Sequence, residues 1–171
     1  IALLIKLTSR GPVFFKQERI GRMGNKFKLV KYRTMKALKS DGSAEINGPQ
    51  FSCSNDNRIT PVGKFLRKTR LDEIPQFVNI LKRQMSITGP RPERPEFVEE
   101  MSAQTPYYSL RHIIKPGLTG WAQIKHGYTN NSDGNLKKLE YDLHYIKNRG
   151  PMMDMIIILR TISTILRFSG K

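Results

Sequence analysis

The chain has 171 residues, and its 30 Lys and Arg outnumber its 14 Asp and Glu, which gives a formal net charge of +16 at pH 7. This length suits one domain with a real hydrophobic core, and the charge predicts an anionic partner: a nucleic acid, a membrane surface or a phosphorylated substrate. The single cysteine, Cys53, excludes an internal disulfide and a cysteine-based zinc site, and it fits a reducing, cytosol-facing environment.

The first seven residues, IALLIKL, form an apolar run. The run is too short for a signal peptide or a membrane span. Two interpretations remain open, a core strand and the C-terminal end of a longer apolar segment, and the second is favoured.

Two β-rich runs, at residues 11–21 and 27–35, flank the Gly/Asn turn signal RMGNK and predict a β-hairpin. In the second run, the two-residue period of a strand places Lys31 and Arg33 on one face, with their cationic ends side by side. The simplest explanation of such a pair is a solvated sheet edge, where Lys is common.

Residues 36–58 are polar and rich in Gly, Ser and Asn, which predicts a long loop, with or without a short helix at its start. Loops of this length tend to be functional or disordered.

Two helices with a sharp joint at residues 69–72 are predicted next. The first begins with Thr60 as N-cap and Pro61 at the first helical position, and the second begins with Asp72 as N-cap. Apolar residues recur at helical spacing in both helices, which predicts one buried face on each. These faces consist of Val62, Phe65 and Leu66 in the first helix and Ile74, Phe77, Val78 and Leu81 in the second.

The segment GPRPERP, residues 89–95, is predicted to be neither helix nor central strand, because three prolines in seven residues make it stiff and extended. Arg91 lies between two of these prolines. A guanidinium group binds phosphate in a bidentate way, and a restricted backbone reduces the entropy lost on binding. The alternative is a surface arginine on a stiff linker.

Three further helices are predicted in the C-terminal half. The first begins with PEFVEEM, the second is LKKLEYDLHYIKN and the third is MMDMIIILRTISTILRF. Before the second of them, KPGLTGWAQI is predicted to be a loop that enters a short strand. The second ends before Gly150 and Pro151. The last is very apolar, but its charged residues, Asp154, Arg160 and Arg167, argue against a transmembrane span. The apolar stripe of the second consists of Leu136, Leu139, Leu143 and Ile146.

Asp72 and Glu73 are adjacent carboxylates at a predicted helix start, with Arg67 and Arg70 nearby. A helix N-terminus and arginines favour the ionised form of Asp72 and can hold a phosphate. An ionised Asp is a competent nucleophile toward phosphorus, and Glu73, which faces another direction on a helix, suits a Mg²⁺ ligand. From these residues alone, a plain helix cap is the simpler explanation.

Asp154 is an acid inside an apolar run, and burial without a partner would be costly. It therefore needs a cation, a metal or a capping role in the first turn after Pro151. Neither a P-loop nor a Rossmann glycine motif is present in the sequence. Trp121 and four tyrosines are assigned to the core or an interface; the tyrosines are Tyr107, Tyr108, Tyr141 and Tyr145.

Four stretches of the chain resemble the bacterial sugar transferases, also called monotopic phosphoglycosyl transferases. They are SRGPVFFKQERIGRMGNKFKLVKYRTM, ITPVGKFLRKTRLDEIPQFVNILKRQMSITGPRPERPEF, RHIIKPGLTGWAQI and KLEYDLHYIKNRGPMMDMIIILRT. The resemblance implies a helix-rich α/β single domain over residues 1–171, with a small β-hairpin and amphipathic membrane-surface helices. It also implies transfer of a hexose-1-phosphate from a UDP-sugar to undecaprenyl phosphate with release of UMP, the step that initiates exopolysaccharide, capsule, O-antigen or glycoconjugate synthesis.

The same resemblance assigns site residues. Asp72 matches the family nucleophile, which forms a phospho-aspartate in a ping-pong reaction, and Glu73 matches the acid associated with Mg²⁺ (or Mn²⁺). Arg33, the second cation of the strand face, is also predicted to bind substrate. The substrate-binding set is therefore Lys31, Arg33, Arg67, Arg91 and Asp154.

Two stretches depart from the family pattern, KRQ at residues 82–84 and KHGYTNN at residues 125–131. The first concerns a local turn, and the second bears on the accepted sugar, so no sugar is assigned. In the family a re-entrant membrane hairpin precedes the catalytic domain, and IALLIKL is expected to be its end.

The expected partners are a UDP-sugar, undecaprenyl phosphate and anionic lipid at the cytoplasmic face of a bacterial inner membrane, which gives the charge of +16 a role. Nucleic acid is not expected, and self-association into a homo-oligomer is left open. Three rival functions remain: a basic nucleic-acid-binding module, a non-catalytic membrane-surface protein, and a glycosyltransferase that moves sugar without phosphate and releases UDP.

Overall fold

A computed structural model describes residues 1–45, 56–126 and 132–167 of the chain. The helices are α1 (Ala2–Thr8), α2 (Pro61–Lys68), α3 (Gln76–Leu81), α4 (Pro95–Gln104), α5 (Trp121–Lys125), α6 (Ser132–Asn148) and α7 (Pro151–Leu166). The strands are β1 (Phe14–Ile20), β2 (Lys26–Tyr32), β3 (Ser86–Thr88) and β4 (Gly117–Thr119). Short 3₁₀ helices cover Arg22–Gly24, Leu71–Glu73 and Pro106–His112. The fold is a helix-rich α/β arrangement with small sheets, as predicted.

The strands form two separate two-stranded sheets. β1 and β2 make the predicted hairpin. β3 and β4 pair in parallel, with Ser86 opposite Gly117 and Thr88 opposite Thr119. The prediction for KPGLTGWAQI is correct as far as a short strand, but the WAQI part is helix α5 and not strand.

The chain divides into two compact units. The first comprises the described parts of Ile1–Gln17, Lys28–Val78 and Thr164–Lys171, and the second comprises those of Glu18–Phe27 and Asn79–Ser163.

In the first unit the N-terminal segment is helical, so the core-strand interpretation of IALLIKL is wrong. Only Ile5 of α1 is buried, and α1 packs against α2, whose Leu66 is also buried. Leu3, Leu4 and Leu7 are 70%, 55% and 74% exposed. The described parts of residues 36–58 contain no helix, and residues 46–55, with Cys53, lie outside the described residues.

The second unit contains two apolar clusters. Met101, Tyr108 and Leu139 form one, and Ile114, Tyr145 and Ile157 form the other. Each cluster joins a residue from α6 to residues from other elements, so the predicted apolar stripe of α6 packs as expected at Leu139, Leu143 and Ile146. The exception is Leu136, which is 42% exposed. Tyr108 and Tyr145 are core residues, as predicted.

The predicted buried face of α3 is exposed. Its members are 43% to 83% exposed, whereas the polar side chains of Gln76 and Asn79 are each only 2% exposed. The Asn79 amide donates to Gln84 Oε1 at 2.8 Å, and the Asn79 carbonyl accepts from the Gln84 N–H at 3.0 Å. Periodicity identifies residues that share a face, but it does not decide which face is buried. The inverted residues are Ile74, Phe77, Val78 and Leu81.

Among the described residues, there is no candidate membrane-spanning helix of sufficient length and hydropathy. In α2 only Leu66 of the predicted apolar face is fully buried, and Phe65 is 58% exposed.

Candidate active site

The adjacent acids, Asp72 and Glu73, lie in the 3₁₀ turn Leu71–Glu73 and not at the start of α3. The prediction that Asp72 is the N-cap of a helix is therefore wrong. Arg70 precedes the turn in a left-handed conformation with φ 58°, which makes the predicted sharp joint. A left-handed non-glycine residue is uncommon and costs roughly 1–2 kcal/mol, so the rest of the fold holds this turn in place.

Both acids are only 8% exposed. Glu73 accepts from Lys31 Nζ at 2.7 Å through Oε1, and its Oε2 lies 3.8 Å from Arg70 Nη1. The Lys31 side chain is 16% exposed. The interpretation of Lys31 as part of a solvated edge is therefore wrong: β2 delivers this lysine to a buried carboxylate.

A close contact between the residues that follow β2 and the start of α2 fixes the spacing of these two elements. The Thr34 carbonyl accepts from the backbone N–H of Thr60 at 3.0 Å. Thr60 is the N-cap of α2, as predicted, and its hydroxyl accepts from Gly63 N–H at 2.9 Å. Arg67 Nε donates to Thr34 Oγ1 at 2.8 Å, which ties the last turn of α2 to the same segment. Both ends of α2 are therefore bonded to Thr34, and α2 leads directly into the turn that carries Asp72 and Glu73.

Arg33 lies just beyond β2 and is 2% exposed. Its guanidinium donates to the carbonyls of Pro12, Arg10 and Ser9 at 2.6, 2.7 and 2.9 Å. These contacts give Arg33 a structural role, and its side chain does not extend beside that of Lys31 toward Glu73. The substrate-binding role predicted for Arg33 stays a prediction.

Arg91 belongs to the second unit. The segment that carries it has neither helical nor strand structure up to Arg94, and α4 begins at Pro95, as predicted. The Arg91 carbonyl accepts from Arg111 Nη2 at 2.9 Å.

Arg111 is itself part of a buried ion pair. Its Nη2 also donates to Asp142 Oδ2 at 2.8 Å, and its Nη1 donates to Tyr108 Oη at 2.6 Å. Burial raises the pKa of Asp142 to about 6, although Arg111 opposes the rise. Burial also disfavours the charged form of Arg111, but Asp142 and Tyr108 outweigh it and raise the Arg111 pKa. At pH 7 both partners are therefore charged.

Asp154 lies in the first turn of α7, in the second unit. Its Oδ1 accepts from the hydroxyl of Tyr145 at 2.7 Å, and the same hydroxyl lies 3.2 Å from Thr88 Oγ1. The partner of Asp154 seen here is a tyrosine hydroxyl, which was not among the predicted partners. The contact connects α7 through α6 to β3, the strand that leads into the Arg91 segment.

Among the predicted site residues, the structure brings Lys31 and Glu73 into direct contact, with Asp72 next to Glu73 in the chain and Arg70 beside it. Arg67 is held at Thr34. Arg91 and Asp154 lie in the other unit, each with its own partners.

A metal ion is implied by the family resemblance, and the carboxylates allow its fit to be judged. Within the described residues no group of three His, Cys, Asp or Glu side chains could hold a metal ion. Mg²⁺ in phosphate chemistry takes one or two carboxylates and completes its shell with phosphate oxygens and water. The two carboxylate oxygens of Glu73 face Lys31 at 2.7 Å and Arg70 at 3.8 Å, and the metal-ligand role predicted for Glu73 stays a prediction.

Sequence reasoning missed Arg111 and Asp142. One signal was present: Asp142 lies three residues after Leu139 and so falls inside the apolar stripe of α6. A charge inside such a stripe requires a buried partner. The identity of that partner, 31 residues away in sequence, had no comparable signal.

Known proteins of similar sequence identify the family of this chain. The model of the family described as "Bacterial sugar transferase" matches residues 1–168. The chain belongs to the bacterial sugar transferase family. The family membership predicted from the sequence resemblance is thereby confirmed.

Three curated relatives illustrate the range of the family. A UDP-N-acetylgalactosamine-undecaprenyl-phosphate N-acetylgalactosaminephosphotransferase of Aeromonas hydrophila is 46% identical over 99% of this chain and 39% of its own length. A UDP-glucose:undecaprenyl-phosphate glucose-1-phosphate transferase of Escherichia coli K12 is 43% identical over 95% of this chain and 34% of its own length. Exopolysaccharide production protein PSS of Rhizobium leguminosarum bv. phaseoli is 38% identical over 95% of this chain and 82% of its own length. The chain thus spans little more than a third of the length of the first two relatives.

Proposed function

We propose that this chain carries the catalytic residues of an enzyme that transfers a sugar-1-phosphate from a UDP-sugar to undecaprenyl phosphate and releases UMP. The observation that carries the proposal is the buried pair Asp72–Glu73, held in a strained turn with Lys31 on Glu73. A helix cap needs neither burial nor a lysine partner. Relatives at 46% and 43% identity are named for different sugars, so the proposal is limited to the class of UDP-sugars.

In the first step, a carboxylate oxygen of Asp72 attacks the sugar-bearing phosphorus of the donor. The bond between that phosphorus and the bridging oxygen breaks, and the electron pair leaves with UMP. The product is an acyl phosphate that joins Asp72 to the sugar phosphate. The step needs no proton transfer, because an ionised carboxylate attacks and a phosphate oxygen leaves.

In the second step, an oxygen of undecaprenyl phosphate attacks the same phosphorus. The acyl–phosphate bond breaks, the Asp72 carboxylate is restored, and the lipid-linked sugar pyrophosphate forms. This two-step route lets a water-soluble donor and a lipid acceptor use the site in turn. Direct transfer would require both to be bound at once.

Cations lower the repulsion between a carboxylate nucleophile and an anionic phosphate. Lys31 lies within reach of the acid-bearing turn, because its Nζ is already 2.7 Å from Glu73. Arg67 and Arg91 are assigned to substrate phosphates in the same proposal, Arg91 because its guanidinium suits bidentate phosphate binding. Asp154 is also proposed to bind substrate, and the hydroxyl of Tyr145 positions its carboxylate.

Glu73, with Asp72 next to it, would hold a Mg²⁺ or Mn²⁺ ion together with donor phosphate oxygens. The ion would supply neutralisation of the charge that develops on the leaving UMP. With or without the metal ion, Lys31 holds the Glu73 carboxylate in the buried turn.

The nucleotide product tests the proposed reaction. The complete protein, incubated with undecaprenyl phosphate and a panel of UDP-sugars, is expected to release UMP with at least one donor. Release of UDP instead would identify a sugar transfer without phosphate. No nucleotide product with any donor would favour a non-catalytic surface protein.

The same assay tests the metal requirement. Excess EDTA is expected to stop UMP release, and added Mg²⁺ to restore it. Glu73→Gln keeps the shape of the side chain and an acceptor for Lys31 but removes a ligand charge, so it is expected to raise the Mg²⁺ concentration needed for half-maximal rate by about 10-fold or more. Full activity in EDTA would contradict the metal assignment.

A membrane-surface location for α7 is part of the proposal. One face of this helix contributes Ile157 to the core, at 0% exposure. A second apolar stripe is exposed, and Arg160 adjoins it as a cation that can reach lipid headgroups. The exposed stripe consists of Met152, Met155, Ile156, Leu159 and Ile162.

The membrane assignment predicts the effect of a charge in this stripe. Leu159 is 59% exposed, so Leu159→Asp leaves the core intact but is expected to weaken cosedimentation of the 171-residue chain with anionic liposomes by about 10-fold. Met23→Asp is the matched control, since Met23 is 72% exposed in the hairpin turn and the variant has the same net charge. Equal binding by both variants would overturn the assignment. Tighter retention on heparin than on liposomes would favour the nucleic-acid rival.

A further inference from the structure

Four consecutive carbonyl groups, from Pro90 to Glu93, each accept a hydrogen bond from outside their own segment. Pro90 accepts from the backbone N–H of Gly117 at 2.9 Å. Arg91 accepts from Arg111 Nη2 at 2.9 Å, and Pro92 accepts from Arg19 Nη1 at 3.1 Å. The fourth carbonyl, that of Glu93, accepts from the backbone N–H of Ile20 at 3.0 Å.

These contacts leave the backbone on both sides of Arg91 little freedom. The rings of Pro90 and Pro92 fix φ at those positions. The bound carbonyls fix the orientation of the peptide planes that follow. The backbone is thus restrained on both sides of Arg91. The donors belong to β1, the Pro106–His112 turn and β4.

The two side-chain donors are held in place themselves. Arg111 is 6% exposed and paired to Asp142. Arg19 lies 3.6 Å from Glu93 Oε2. Burial, chiefly, and the positive charges of Arg91 and Arg94 lower the pKa of Arg19 to about 10, so it remains charged at pH 7 beside two other arginines. Glu93 opposes this lowering of the Arg19 pKa, so the charge of Arg19 is compensated in part within the protein.

We propose that Arg19 and Arg111 are positioning residues for Arg91: by binding the carbonyls of Pro92 and Arg91 they hold the backbone from which the Arg91 guanidinium reaches the substrate phosphate. The inference rests on the proposed function, in which Arg91 binds the donor. It assigns a part in the reaction to two arginines that need not touch substrate.

Arginine-to-lysine variants of the complete protein test the assignment. Arg111→Lys and Arg19→Lys keep the charge that Asp142 and Glu93 need but lose the planar, multi-donor geometry. Each is expected to raise the KM for the UDP-sugar by about 10-fold, with a smaller change in kcat, because a displaced Arg91 weakens donor binding. The matched control is Arg22→Lys: Arg22 also donates to a carbonyl in the same unit, that of Ile113 at 3.2 Å, which is not one of the carbonyls of residues 90–93.

A double-mutant cycle with Arg91→Ala separates positioning from general structural support. If Arg19 and Arg111 act through Arg91, their lysine variants change KM little further once Arg91 is alanine. Undiminished effects in the Arg91→Ala background would overturn the inference while leaving the proposed function intact. An Arg91→Ala variant with normal KM would instead refute the role of Arg91 in the proposed function. Melting temperatures check folding, and if Arg111→Lys does not fold, Arg19→Lys decides the question.

Discussion

Asp72→Asn is expected to abolish turnover and to prevent a covalent adduct that the unmodified protein forms. Incubated with the accepted UDP-sugar and no lipid acceptor, the complete protein should gain the mass of one sugar phosphate, and one equivalent of UMP should appear. An amide cannot replace a carboxylate nucleophile, so the variant should lose at least about 10⁴-fold in rate and show no mass increase. Intact-protein mass spectrometry and UMP release measure the two effects.

The substitution is nearly isosteric, so the fold should survive. Asp41→Asn is the matched control: Asp41 is an exposed acid of the same unit that accepts from the Ser43 N–H at 2.8 Å, and its loss of charge should leave adduct and rate unchanged. Near-normal turnover of Asp72→Asn would sink the mechanism. An adduct that forms on Asp72→Asn but not on Glu73→Gln would move the nucleophile to Glu73.

The sequence predicted this pair as a helix cap or a reactive site, and the structure removes the helix N-terminus from both explanations. The helix terminus that was expected to favour ionised Asp72 is absent, because α3 begins only at Gln76. Of the two arginines expected nearby, Arg70 lies beside Glu73, whereas Arg67 donates to Thr34. Lys31 reaches Glu73 from β2, 42 residues earlier, and Arg70 approaches it through a left-handed backbone. Neither arrangement follows from residue spacing.

Local signals were nonetheless reliable where the backbone decides the outcome. Thr60 followed by Pro61 predicted the start of α2, the Gly/Asn turn predicted the hairpin, and the prolines of residues 89–95 predicted an irregular segment. Each signal acts through φ, ψ or a missing donor within a few residues. These features need no knowledge of the rest of the fold.

Tertiary choices were less predictable. The apolar residues of α3 were expected in the core, yet Gln76 and Asn79 are buried instead. Burial of amides is acceptable when they are hydrogen-bonded, as Asn79 is to Gln84. An exposed apolar face is unfavourable in water unless something covers it. The exposed apolar face of α3 agrees with the lipid-surface location proposed above for α7.

Gly63→Ala is expected to destabilise the protein severely, although alanine is the better helix former. A methyl group at Gly63 would overlap the Thr34 carbonyl oxygen and lie 2.6 Å from its carbon. Both are backbone atoms of the segment that follows β2, so the collision cannot be relieved by a side-chain rotation. Overpacking of this kind costs roughly 3 kcal/mol, which exceeds the gain of about 1 kcal/mol from helix propensity. Thermal unfolding followed by circular dichroism measures the loss.

Gly150→Ala is the control, because a methyl group there meets no atom within 4 Å. It should change the unfolding free energy by less than about 0.5 kcal/mol.

The functional consequence distinguishes this contact from an ordinary packing defect. Moving α2 away from Thr34 breaks the Arg67–Thr34 bond and shifts the turn that carries Asp72 relative to Lys31. UMP release at a temperature where Gly63→Ala is still folded should therefore remain far below that of Gly150→Ala. Equal rates at that temperature would mean that the spacing between β2 and α2 supports stability alone, and that the acid-bearing turn is placed by other contacts.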